Sequence, residues 1–148
     1  MLAQGAGHIV NTSSGAGLAP TVLTVAYSAT KHAVVGLSTS LRPEAARHGV
    51  RVSVLCPGAV DTAILDRPPA ADLPPGSQAM TGREFLGKVG VPMITADRLA
   101  RGALRGVARN QGIIVVPASA KLLWYLQRLS PAVVDRVGEL MVRRVLSR

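Results

Sequence analysis

Apolar positions along this chain come in two rhythms. Three stretches are short and nearly continuous: residues 7–13 around Ile9 and Val10, residues 50–55 around Val50, Val52, Val54 and Leu55, and residues 112–117 around Ile113 to Val116. Such runs predict strands, and the last suits a parallel strand buried on both faces. Between them the spacing is helical. A helix is expected from about Thr24 to His48, with Gly49 just past its end, where left-handed geometry is easy. Ala26, Ala29, Ala33 and Gly36 give it a small-residue flank suited to close packing on a sheet or another helix. Pro43 cannot donate to the carbonyl of Thr39, so a kink or break is expected in the final turns. A second helix is predicted over residues 96–108, with Thr95 as N-cap and Leu99, Ala103, Leu104 and Val107 as its apolar face. The β-α-β-loop-α-β order implies an α/β fold of about three parallel strands with right-handed crossovers.

Residues 61–92 break both rhythms. Pro68, Pro69, Pro74, Pro75 and Pro92 stand there, five of the chain's ten prolines. This stretch is expected to be irregular, either as a functional loop or as a disordered insertion. Beyond residue 117 the pattern is helical again. Residues 121–129 carry Trp124 and Tyr125, and Ser130 and Pro131 open a further helix as N-cap and first residue. At 100° per residue, Val133, Val134, Val137, Leu140, Met141 and Val145 gather on one side, interrupted by Arg144. Asp135, Arg136, Glu139 and Arg143 fall on the other side. The organisation read from the chain is an α/β part over residues 1–117 and a basic helical extension over residues 118–148. Packing of the extension on its own domain or on a second subunit is the expected outcome. Weak contact with a membrane surface is the alternative.

Composition narrows the classes. A chain of 148 residues is one domain's worth, and 48% hydrophobic residues are ample for a core. No run of eighteen apolar residues predicts a transmembrane helix, and the N-terminus lacks the layout of a signal peptide. The single cysteine, Cys56, excludes an intramolecular disulfide and reads as a small buried residue. The formal charge is +9, but aromatic residues are only 3% and no nucleic-acid motif is present, so a nucleic-acid partner is not expected. His8, His32 and His48 lack ligand spacing, and no metal site is expected. Neither Gly5-Ala6-Gly7 nor Gly15-Ala16-Gly17 has a third glycine three residues on; Val10 and Pro20 stand there, so neither is a dinucleotide fingerprint. Ser14 lacks the flanking glycines of a hydrolase elbow.

The chemistry lies elsewhere. Tyr27 and Lys31 are four apart, one turn along one helix face. An ammonium beside a phenol favours the phenolate, so the pair is a candidate acid/base device. Ser14 falls just past the first predicted strand, where open α/β sheets place their ligands. Asn11-Thr12-Ser13-Ser14, Tyr27-Ser28-Ala29-Thr30-Lys31 thirteen residues after Ser14, and Pro57-Gly58-Ala59-Val60-Asp61-Thr62 occur in this order. Together they resemble the C-terminal part of a classical short-chain dehydrogenase/reductase, over most of the chain up to about residue 117.

That resemblance implies a partial Rossmann-like three-layer fold, with three of the family's seven strands. It implies NAD or NADP as cofactor, a small alcohol or carbonyl compound as substrate, a cytoplasmic location, and a homo-oligomer when complete. Ser14, Tyr27 and Lys31 would be catalytic. Tyr27 would exchange the proton, Ser14 would donate to the substrate oxygen, and Lys31 would also hold the nicotinamide ribose. Pro57, Gly58, Val60 and Thr62 would shape the nicotinamide pocket, and residues 61–92 would cover the substrate. The positive charge would suit the dinucleotide's phosphates. The family's glycine-rich turn and its further catalytic asparagine precede the matched region. The alternative is therefore a truncated, non-catalytic remnant or interaction module.

Overall fold

The central strand explains the rest. In the computed structural model, which describes residues 1–68 and 80–146, β2 (Val50–Pro57) lies between β1 (Gly7–Thr12) and β5 (Ile113–Val116). All three strands are parallel, with Ile9 opposite Val52, Thr12 opposite Leu55 and Cys56 opposite Val115. Val52, Ser53, Val54 and Cys56 are completely buried. A strand covered on both faces favours β-branched and small residues over strict alternation.

The pleat sends neighbouring residues to opposite layers. Val50 and Val52 pack with Ala45 and Leu41 of helix α1 (Val25–Ala46). Val54 and Cys56 pack with Leu18 and Val115, and Val34 and Val35 of α1 close over them. Leu55 points the other way, joining Ile114, Val116 and Ile94 under Leu99, Ala103 and Val107 of α3 (Ala96–Ala108). This is a three-layer α/β arrangement. Gly102 and Gly106 bring α3 close to β5: a Cβ there would lie 2.8 Å from Val116 and 2.7 Å from Ile114.

Helix α1 begins one residue after Thr24 and ends at Ala46. His48 and Gly49 continue as a turn, and Gly49 has φ 70°. One arm of each of two expectations is corrected here. Pro43 does not break the helix, which runs on for three residues past it. The flank of Ala26, Ala29, Ala33 and Gly36 does not pack on the sheet; all four are exposed. The inward face instead uses Val34, Val35, Ser38, Leu41 and Ala45.

The described parts of residues 61–92, 61–68 and 80–92, are more regular than expected. Val60–Asp61 forms a short strand, β3, paired in parallel with β4 (Ile94–Thr95). A 3₁₀ turn follows at Ala63–Asp66, and α2 spans Gly82–Val89. Thr81 and Glu84 form a reciprocal capping box at its start. Arg83 ties α2 back by bonding Asp61 (2.8 Å) and Asp66 (2.6 Å). That hydrogen bond holds the Asp66 carboxyl below the usual carboxylate range. Pro69, Pro74 and Pro75 of the expected covering segment lie outside the described residues.

The C-terminal stretch forms α4 (Ala120–Leu129) and α5 (Pro131–Leu146), with Ser130 alone between them. Ala120 and Trp124 pack onto the Leu18–Val54–Cys56–Val115 cluster. The apolar stripe of α5 packs on protein in part: Val134 and Val145 are buried, and Gly138 lies close to Val22.

Candidate active site

Ser14, Lys31, Pro57 and Gly58 lie at the C-terminal ends of β1 and β2. Ser14 follows β1 in extended backbone and caps the turn Gly15–Gly17, its Oγ accepting from the Ala16 amide at 3.2 Å. That turn presses against α1, since a Cβ on Gly17 would collide with Ser13 Oγ and the Lys31 carbonyl. Only glycine lets the chain pass there. Ser13 is buried and donates to the Lys31 carbonyl at 2.8 Å. The first turns of α1 are thus fastened to the end of the strand that carries Ser14.

Tyr27 and Lys31 share one face of α1 as their spacing predicts. The Lys31 ammonium lies 5.5 Å from the centroid of the Tyr27 ring. It also donates to the Thr12 carbonyl at 3.3 Å, which holds it against the end of β1. Tyr27 is 48% exposed and so open to a ligand. Leu23, between Ser14 and Tyr27, has φ 61°. A leucine in the left-handed region is costly, and such geometry is concentrated at functional sites.

Pro57 and Gly58 end β2 beside this turn. A Cβ on Gly15 would sit 3.4 Å from the Pro57 carbonyl. Gly58 donates to the Val116 carbonyl at 2.8 Å, and a Cβ there would stand 3.0 Å from Pro117. Val60 lies in β3, half-buried over the Leu55–Ile94–Ile114–Val116 cluster. Thr62 precedes the Ala63–Asp66 turn, and its hydroxyl does not cap that turn. Cys56, next to Pro57, is buried; desolvation pushes its thiol up to about 11, and the polar groups of Ser13 and Ser14 beside it offset this only in part. Among the described residues no cluster of three metal-ligating side chains occurs.

Sequence reasoning did not single out Ser13 or the Thr12 carbonyl, which hold Lys31 in place. The Ser13-Ser14 doublet was the available signal. It also missed Arg83, whose partners lie seventeen and twenty-two residues away. A phenol, an ammonium and a hydroxyl at the ends of parallel strands can together pass a proton to or from an oxygen and stabilise charge on it.

Comparison with known proteins places the chain beside oxidoreductases of one family. The sequence profile of the short chain dehydrogenase family matches residues 1–71. SadH of Mycobacterium tuberculosis is 36% identical over 131 residues, covering 87% of this chain and 46% of its own length. Estradiol 17-beta-dehydrogenase 11 of Rattus norvegicus is 29% identical over 148 residues, covering 98% of this chain and 43% of its own length. The chain therefore spans about half the length of the curated relatives it matches. Among solved structures, a short chain dehydrogenase/reductase from Burkholderia phymatum in complex with NAD superposes with a TM-score of 0.73 at 31% identity, over 90% of this chain and 51% of that one. A short-chain dehydrogenase from Sphingobium yanoikuyae in complex with NADPH gives 0.62 at 26% identity, over 94% of this chain and 46% of that one.

Proposed function

Because the chain belongs to the short-chain dehydrogenase/reductase family, we propose that it carries the proton-transfer site of an NAD- or NADP-dependent oxidoreductase that interconverts an alcohol and a carbonyl. The observation that carries this reading is the Lys31 ammonium, held by the Thr12 carbonyl beside the Tyr27 ring, next to the strand end that bears Ser14. The residues fit the nicotinamide end of such a cofactor. Lys31 stands at the end of β1 with the Tyr27 ring beside it, Gly58 leaves little room for a side chain beside Pro117, and the Thr62 hydroxyl is not used as a cap. When bound, the nicotinamide supplies or accepts the hydride.

Within this reading each side chain has one task. Tyr27 gives its phenolic proton to the substrate oxygen in reduction and takes it back in oxidation. Ser14 donates a hydrogen bond to the same oxygen and stabilises the charge that develops there. Lys31 holds the cofactor ribose and keeps positive charge beside the tyrosine. Pro57, Gly58, Val60 and Thr62 line the nicotinamide side.

The test is substitution in a protein of the length its relatives have, assayed with NADH and NADPH on a panel of small ketones. Tyr27→Phe is expected to lower kcat by roughly 10²–10⁴-fold while cofactor titrations stay nearly unchanged. A phenylalanine variant with near-normal kcat rejects the assignment. Lys31→Ala is expected to weaken dinucleotide binding as well as rate. Unchanged titrations would remove its ribose role.

A further inference from the structure

Helix α4 turns Trp124 inward and leaves its opposite face apolar. Leu129 is 85% exposed, Leu122 74% and Tyr125 50%. At 100° per residue these three form one stripe, with Lys121 and Arg128 along one border of it. The Arg128 guanidinium lies 5.7 Å over the Trp124 ring, so the cation stays at that border. Trp124 and Tyr125 stack at 5.3 Å. Helix α5 repeats the arrangement. Val134 and Val145 face inward, while Val133, Val137 and Leu140 are exposed. Around its axis Arg143 and Arg136 separate Leu140 from the acidic pair Asp135 and Glu139. Apolar surface and positive charge therefore adjoin, and negative charge is set apart.

We propose that the α4–α5 pair is a docking surface for an anionic lipid bilayer. Leu122, Tyr125 and Leu129 enter the boundary between headgroups and acyl chains, and Lys121 and Arg128 meet lipid phosphates. An amphipathic helix with basic borders and interfacial aromatic residues binds membranes in this way. The contact is parallel to the surface, because no helix among the described residues is long and apolar enough to cross a membrane. A second copy of the chain suits this face less well. It would set the same cations against one another on a chain of net charge +9. A bilayer rich in anionic lipid supplies the opposite charge.

Flotation of the 148-residue chain with lipid vesicles tests this, since floated lipid separates bound protein from any aggregate. The chain is expected to float with phosphatidylcholine vesicles containing about one-third phosphatidylserine and far less with phosphatidylcholine alone. Raising salt from about 0.1 M to about 1 M shortens the Debye length from about 10 to 3 Å and should release much of it. A double variant, Leu122→Ser with Leu129→Ser, is expected to lower the floated fraction about tenfold or more. Because both leucines are exposed, its melting midpoint should match the parent's. If it melts early, Lys121→Glu with Arg128→Glu decides the matter, and loss of flotation is again expected. No flotation with anionic vesicles overturns the proposal, as does flotation unchanged in these variants. If the leucine variant only dissolves an oligomer in gel filtration, the face belongs to a second copy and the proposal fails.

Discussion

Ser53 has one hydroxyl proton, and it goes to the Gln111 carbonyl at 2.6 Å. The same oxygen therefore accepts from His8 Nε2 at 2.8 Å, which assigns the His8 proton to Nε2. Burial, with Arg51 and Arg42 adding repulsion, lowers the His8 pKa from its usual 6.5. Between that lowered value and 6.5 the unfolded chain binds a proton that the folded chain refuses, so stability rises with pH across the window. The His8 contribution is complete above 6.5 and lost as pH falls through the window. Thermal midpoints measured from about pH 8 to about pH 5 should show this component in the parent chain and lack it in His8→Asn. Identical profiles would refute it. Legibility in sequence divides at this same scale. Tyr27 and Lys31 could be read because a helix converts a spacing of four into adjacency, and Ser14 because a strand end marks its place. The partners of His8 could not, since Ser53 lies forty-five residues away and the pairing depends on strand register.

Among the elements, the tightest join is between α3 and β5. Gly106 is buried, and a Cβ on it would come within 2.7–2.8 Å of three side-chain atoms of Ile114. Ile114 is itself buried between β2 and α3, so it has little room to give. Gly106→Ala should gain helix propensity but lose more to overpacking, with a net destabilisation of about 1–3 kcal/mol in urea unfolding. Gly87→Ala is the control, because nothing lies within 4 Å of a Cβ there. It should be neutral or slightly stabilising, and equal effects at the two sites would contradict the packing argument. The helix over residues 96–108 was legible with its cap because periodicity and Thr95 agree, and both of its ends fall where expected. Helix α2 was overlooked although Thr81-x-x-Glu84 is a capping-box signature, because neighbouring prolines and glycines masked it. What then holds α2, Arg83 on Asp61 and Asp66, is a long-range contact that local pattern does not encode. The surface that the small flank of α1 meets was not legible for a related reason. Small residues permit close approach, but they do not say which surface approaches.

On the scale of the whole molecule, β1 forms one margin of the main sheet, with β2 on its only paired side among the described residues. Val10 and Leu2 are exposed near that margin, and Val25 at the start of α1 is 81% exposed. An open strand edge with apolar neighbours invites pairing with another chain. The isolated 148 residues are therefore expected to elute from gel filtration as dimers or larger species, and Val10→Lys should shift them toward monomer. Dinucleotide affinity follows from the same architecture. On the proposed reading the site supplies donors for the nicotinamide end, whereas the pyrophosphate of such a ligand needs amides at a helix N-terminus after a glycine-rich turn. No such fingerprint occurs in these residues: the Gly15–Gly17 turn leads into Leu18 and Ala19, both buried, and the next glycine is Gly36. NADPH fluorescence titrations of the isolated chain should accordingly show weak binding without saturation in the micromolar range, and Lys31→Ala should weaken it further. A cooperatively melting monomer that binds NADPH at micromolar concentration would overturn both expectations. It would mean that the described residues hold the pyrophosphate by some other means, and Arg98, Arg105 and Arg109, which line a cavity of about 330 Å³ beside β5, would be the first to substitute.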